Sequence, residues 1–146
     1  MTTVSKSVRI AAPPSRVWEI LAAFDRISDW APNVDHSCLL STETSGEGTS
    51  RRVQVGRTVL VETVVDWQDG SRLSYRIDGL PPMLDVVENT WDLTEEGNGT
   101  VVTLTANVVA GRRPPAKLAA KVAVRRIASA NSEMLDGLAE ALAESR

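Results

Sequence analysis

The stretch APPSRVWEILAAFDRISDWAP, residues 12–32, decides how the sequence divides into helices and strands. Its two adjacent prolines belong in the first turn of a helix, where no backbone hydrogen bond is lost. Apolar residues then recur at helical spacing, at Val17, Trp18, Leu21 and Phe24. A second short helical segment, near residues 27–30, should end at Pro32, because the residue before a proline disfavours the helical conformation. The stretch therefore predicts two short helices in succession.

Extended segments lie on both sides of these helices. Residues 3–10 alternate between apolar and polar side chains, as a strand does. From residue 33 to 109 the hydrophobicity again has a period of two, which predicts strands over residues 34–41, 49–55, 58–67, 72–78, 85–94 and 100–109. The breaks between them are short and rich in turn residues, so we expect an antiparallel meander and not crossover units.

A period of 3.6 returns after the segment AGRRPP, residues 110–115. It predicts one helix ending near Glu144, with an apolar stripe formed by Ala120, Val124, Ile127, Met134, Leu135, Leu138 and Leu142. So long an amphipathic helix needs a broad apolar surface to lie on. We therefore predict an α+β fold over residues 1–146, a single domain in which a curved antiparallel sheet of about seven strands wraps around the C-terminal helix.

Composition excludes several classes of protein. The net charge of -3 and the scattered basic residues give no reason to expect a nucleic-acid partner. The single cysteine cannot form an internal disulfide, no apolar run is long enough to span a membrane, and the N-terminus lacks a secretory signal. We expect a cytoplasmic protein, a monomer or homodimer, without stable membrane insertion. No metal-ligand spacing, phosphate-binding loop or dinucleotide motif is present, so we expect no metal and no cofactor.

The order of elements resembles the helix-grip fold of the START-like superfamily, also called SRPBCC. The resemblance rests on residues 12–32 and on three further stretches: RLSYRIDGLPP at 72–82, GTVVTLTANVV at 99–109 and ANSEMLDGLAEAL at 130–142. It is greatest to the polyketide cyclase/dehydrase and lipid-transport branch, with likeness to the birch-pollen allergen family and the plant abscisic acid receptors. It implies an internal cavity between the sheet and the long helix, suited to a small hydrophobic ligand.

His36, the only histidine, decides between an enzyme and a binder. It shares a predicted strand face with Val34, Cys38 and Leu40, and that face is otherwise apolar. By resemblance to the plant receptors, His36 falls near a position at which a basic side chain meets the acidic group of the ligand. We therefore expect His36 and Cys38 in the pocket wall. The alternative is a structural histidine at the edge of the sheet.

Two asparagines interrupt apolar faces. Asn131 lies on the stripe of the long helix, and an asparagine there is costly without a partner. By resemblance to the plant receptors it faces the cavity; the alternative is a bond to a neighbouring strand that specifies the fold. Asn89 lies on a strand face with Trp91, and we expect it to point into the cavity. Trp91 would supply a large flat wall to the cavity; the alternative is that Trp91 is plain core.

Further candidates for ligand contact are Tyr75, Leu104, Ile127 and Leu135, all expected to point inward. On the last strand, hydrophobicity turns Leu104 inward, whereas a match to the plant receptors would turn its polar neighbours inward; we follow the hydrophobic pattern. Glu62 is expected to be solvated, because it lies on the other face of its strand from the valines. Two loops, which contribute Leu80, Pro81, Pro82, Met83 and Arg112, are expected at the cavity mouth.

The function that these features favour is binding of a lipid, polyketide or similar hydrophobic molecule for transport, sequestration or sensing. The first alternative is a cyclase- or aromatase-type enzyme, in which His36 would act as acid or base with Tyr75 and Asn131 orienting oxygens. The second is a module with a filled interior that binds other proteins. Fold resemblance does not choose between them.

Overall fold

The computed structural model describes residues 2–80, 84–111 and 114–144, and within them seven strands, two α-helices and one 3₁₀ helix. The strands are β1 Thr2–Ile10, β2 His36–Leu39, β3 Ser50–Val55, β4 Thr58–Gln68, β5 Arg72–Asp78, β6 Leu84–Glu96 and β7 Gly99–Ala110. Helix α1 spans Pro14–Ala22, the 3₁₀ helix spans Phe24–Asp29, and α2 spans Pro114–Glu144.

The strands form one antiparallel sheet in the order β1-β7-β6-β5-β4-β3-β2. From β2 to β7 each strand pairs with the next along the chain, and β1 pairs with β7 at the far edge. Helix α1 and the 3₁₀ helix carry the chain from one edge of the sheet to the other. Irregular pairing at residues 64–66 and 84–86 bends the strands locally. The predicted curved sheet, long C-terminal helix and two short early helices are confirmed.

Helix α2 lies against the sheet, and its two halves differ in how tightly they pack. The C-terminal half buries Met134, Leu135, Leu138 and Leu142 in the main core. Gly137 lets the helix approach the loop before β2: a Cβ atom there would overlap the carbonyl oxygen of Trp30 and lie 2.6 Å from Cδ of Pro32. The N-terminal half carries Ala123 and Ile127, which pack less tightly beside a smaller cluster.

The predicted inward face of β2 is wrong. Val34 is buried, but it lies in a turn before the strand, where its N–H donates to the carbonyl of Ala31 (3.1 Å). The alternation therefore does not run on from Val34, and His36 and Cys38 are exposed. The inner face instead presents Ser37, whose hydroxyl donates to the carbonyl of Asp25 (2.7 Å) in the 3₁₀ helix.

The predicted orientation of β4 is also wrong. Glu62 is only 5% exposed, whereas the valines that flank it point outward, with Val59 43% and Val61 36% exposed. Both faces of this strand are rich in apolar residues, so hydrophobicity alone does not choose between them. The partner strand does, because Arg51 of β3 lies directly opposite Glu62 and is itself buried.

Candidate functional site

A cavity of about 600 Å³ lies between the inner face of the sheet and the N-terminal half of α2. Its walls are mainly aliphatic. Strands β3 to β6 contribute Val53, Val55, Thr58, Leu60, Glu62, Ile77 and Asn89. Helix α2 contributes Val122, Ala123, Arg126, Ile127, Ala130, Asn131 and Met134. The remaining lining residues are Ile27, Asn33, Val34 and Leu80. Volume and lining are typical of a site for a small, largely apolar molecule.

The cavity opens to solvent on one side. Three of its lining residues are exposed: Thr58 at the start of β4, and Val122 and Arg126 on α2. A molecule entering there would pass between the β3–β4 turn and the helix, and Arg126 gives this rim a positive charge.

The charged group within the cavity is Glu62, which is paired with Arg51. Nε of Arg51 donates to Oε1 of Glu62 (2.8 Å), and a terminal nitrogen of the same guanidinium lies in ion-pair contact with that oxygen at 2.7 Å. The other terminal nitrogen donates to the backbone carbonyl of Phe24 (2.7 Å), and the guanidinium lies 3.7 Å from the centre of the Phe24 ring. Arg51 does not line the cavity, so the carboxylate stands between the guanidinium and the cavity space.

Asn89 and Asn131 bond to each other across the gap between β6 and α2. The amide nitrogen of Asn89 donates to Oδ1 of Asn131 (3.3 Å), and that of Asn131 donates to Oδ1 of Asn89 (3.1 Å). Both residues are buried and both line the cavity. Asn131 therefore both lines the cavity and bonds to a strand, so the two interpretations of this residue are compatible.

Tyr75 and Trp91 are inward but belong to the core and not to the cavity lining. Nε1 of Trp91 donates to the hydroxyl of Tyr75 (3.2 Å), and the ring of Tyr75 packs edge-on against Phe24. Burial, with the nearby charge of Glu62 second, raises the pKa of Tyr75 above its usual 10.0. Tyr75 has an exposure of 0% and so has no surface open to a ligand.

The remaining predicted site residues divide into four groups. His36 and Cys38 are exposed outside the cavity, so their expected place in its wall is wrong. Leu135 is core, and Leu104 borders a second cavity of about 390 Å³ beside β1 that also reaches Asn131. Ile127 and Leu80 do line the main cavity. Pro81, Pro82, Met83 and Arg112 lie outside the described residues.

Sequence reasoning missed Glu62 and Arg126 as cavity residues. A signal for Glu62 was present in the two-residue turn at Gly56–Arg57, which sets the β3–β4 register and places Arg51 opposite Glu62. Two opposite charges on one inward face indicate a buried pair. Arg126 had no comparable signal, because it adjoins another arginine and both are exposed.

Neither a metal centre nor a membrane span is evident in the part of the chain that the structure describes. No three histidine, cysteine, aspartate or glutamate side chains come together there as metal ligands. No helix in the same residues is long and apolar enough to cross a bilayer.

Solved structures with the same arrangement define the class. An aromatase/cyclase from a Streptomyces species has a TM-score of 0.77 at 20% identity, with 97% of this chain and 93% of that chain covered. A START superfamily protein from Mycobacterium smegmatis has a TM-score of 0.72 at 18% identity, covering 96% and 98%. A Thermus thermophilus protein has a TM-score of 0.76 at 22% identity and covers 99% of each chain. The protein therefore has the START-like helix-grip fold.

The family follows from the sequence itself. Residues 1–143 match the family model described as polyketide cyclase / dehydrase and lipid transport, and the chain belongs to that family. No functionally curated protein is significantly similar to it.

Proposed function

We propose that the protein binds a small, mainly apolar molecule in the cavity between the sheet and the N-terminal half of α2. The observation that carries the proposal is the cavity of about 600 Å³ with aliphatic walls and an exposed rim. Keeping such a volume unfilled costs packing energy, because a cavity lining forfeits contacts that a packed core would make. The family description, which names polyketide and lipid chemistry, supports a ligand of this kind.

A filled interior that serves only protein interaction is disfavoured by the same volume. Cyclase-type catalysis is the second candidate, favoured by a carboxylate, Glu62, within an apolar cavity. His36, which was predicted as its acid or base, and Tyr75, which was predicted to orient an oxygen, do not line the cavity. Glu62 would then have to move the proton, whereas binding needs no reacting group.

The proposal is tested by native mass spectrometry of freshly purified protein, followed by solvent extraction of whatever co-purifies. Ala130 lines the cavity from α2, so Ala130→Phe should place a ring in it and obstruct ligand binding. Ala128 on the same helix borders the smaller second cavity and provides the matched control, Ala128→Phe. We expect an apolar adduct on the natural protein and on Ala128→Phe, and none on Ala130→Phe. A clean mass for the natural protein, together with no binding to a panel of lipids and aromatic polyketides, would contradict the proposal.

A further inference from the structure

The Arg51–Glu62 pair is asymmetric: Arg51 contacts one oxygen of Glu62, and Glu62 is the member of the pair that lines the cavity. Two guanidinium nitrogens converge on one oxygen, Oε1, instead of dividing between both oxygens as in a parallel fork. The described residues donate no hydrogen bond to Oε2. Glu62 is a buried residue, but Oε2 itself is not among the fully enclosed atoms that lack a partner, so in the open cavity water can reach it and donate a hydrogen bond.

A ligand that fills the cavity displaces that water. Displacing an ordered water loses affinity unless the ligand reproduces its hydrogen bonds. A ligand that covers Glu62 must therefore bring a donor to Oε2. Asn33, which also lines the cavity, has a buried Oδ1 that likewise receives no hydrogen bond from the described residues.

The ion pair between Arg51 and Glu62 determines which charge the donor group of the ligand can carry. Arg51, 2.7 Å from Oε1, already neutralises Glu62, so a cationic group would meet a pair without net charge. A ligand carboxylate would be repelled by the like charge of Glu62, and Glu62 stands between the cavity and Arg51. Arg126 offers an anion a partner only at the exposed rim, where ion pairs contribute little.

We infer that the natural ligand is an apolar molecule carrying a neutral hydroxyl group, a phenol or an alcohol, which donates a hydrogen bond to Glu62 in the cavity. This inference rests on the proposed function and narrows its ligand class. It replaces the acidic ligand that an inward His36 would have suggested.

The test compares three anthracenes of nearly equal size by fluorescence titration: 2-hydroxyanthracene, 2-methoxyanthracene and anthracene-2-carboxylate. The methyl ether removes only the donor, and the carboxylate replaces it with an anion. We expect the hydroxyl compound to bind at least about 10-fold more tightly than the ether, since a hydrogen bond to a charged group is involved. Equal affinities for hydroxyl and ether, or a preference for the carboxylate, would overturn the inference while leaving the proposed function intact. Failure of all three to bind would count against both.

The preference is then assigned to Glu62 with Arg51→Met/Glu62→Leu, because replacing a buried ion pair by apolar residues of similar size often preserves stability. In this variant the ratio of hydroxyl to ether affinity should fall to about one. The matched control is Arg72→Met/Asp92→Leu, which removes another cross-strand arginine–carboxylate pair, at 2.7 Å, that faces solvent. That control should keep the preference; an equal loss in both variants would contradict the inference. Should the first variant not fold, the three ligands on the natural protein decide the matter alone.

Discussion

At the scale of single residues, the reciprocal amide pair of Asn89 and Asn131 joins the sheet to α2. Removing either partner leaves the other buried amide unsatisfied, so Asn89→Leu and Asn131→Leu should each lower the free energy of unfolding by about 1–3 kcal/mol. The double variant removes both polar groups and should cost clearly less than the sum. Urea denaturation of the three variants measures this coupling.

The control for that cycle is Asn107→Leu, whose amide oxygen accepts a bond from Thr3 at the surface. It should change stability by less than about 0.5 kcal/mol. Additive effects of the two core substitutions would show that the amides do not depend on each other.

A second prediction at this scale concerns the stability of the protein at alkaline pH, which depends on Tyr75. Its pKa in the folded protein is raised by burial, so folding favours the neutral phenol. The resulting stability is fully present below the unfolded pKa of about 10 and is lost as pH rises toward the higher folded value. We expect the free energy of unfolding to fall with pH above about 10, by up to about 1.4 kcal/mol per pH unit from this group.

Tyr75 is the only tyrosine, so the phenolate absorbance of the folded protein reports its titration directly. Tyr75→Phe provides the comparison: its stability should fall less steeply over the same pH range, whatever its starting value. Identical slopes for the two proteins would mean that the phenol ionises equally well folded and unfolded.

At the scale of elements, Gly137 sets how closely α2 approaches the loop at Trp30–Pro32. Alanine is favoured over glycine within a helix by about 1 kcal/mol. Here the added Cβ would meet backbone and a proline ring, neither of which moves easily. Gly137→Ala should therefore lower the free energy of unfolding by about 1–3 kcal/mol, as overpacking does.

Chemical denaturation checks that sign, with the exposed Ser129→Ala on the same helix as the control. Ser129→Ala should leave stability unchanged or slightly higher, because only helix propensity changes there. A stabilising Gly137→Ala would show that α2 does not approach the loop so closely.

The order and type of the elements could be predicted because each depends on a local period. The prolines of residues 12–32 do begin a helix at Pro14, and the 3.6 period after residue 115 does mark α2. The hydrophobic pattern of β7 also gives the right face, with Leu104 and Ala106 buried. These features need no knowledge of distant parts of the chain.

The faces of β2 and β4 depend on contacts with other elements, and local periodicity could not fix them. Ser37 points inward because it forms a hydrogen bond with the 3₁₀ helix. Glu62 points inward because it pairs with Arg51 on the neighbouring strand. The cavity is harder still to predict, since an inward residue is not yet a cavity residue. Trp91 and Leu135 fill the half of the interior that α1 and the 3₁₀ helix also pack, whereas Ile127 faces the unfilled half.

At the scale of the whole molecule, the two halves of α2 divide the interior into a packed core and an unfilled cavity. The core keeps the sheet and helix together without a ligand, so the cavity can be filled as a separate step. A molecule that binds only the folded state then adds stability, about 2.7 kcal/mol at a concentration 100 times its dissociation constant. We expect 2-hydroxyanthracene to raise the melting temperature by several degrees in a concentration-dependent way.

The variant that places a ring in the cavity makes this prediction specific. Ala130→Phe should melt at the same or a higher temperature than the natural protein when both are free of ligand, because its ring occupies space that otherwise lacks contacts. It should also lose the shift caused by 2-hydroxyanthracene, whereas Ala128→Phe should keep it. Differential scanning calorimetry of the three proteins measures both quantities. An equal shift in Ala130→Phe would place the bound molecule outside this cavity, because a ring at position 130 should obstruct a ligand that binds within it.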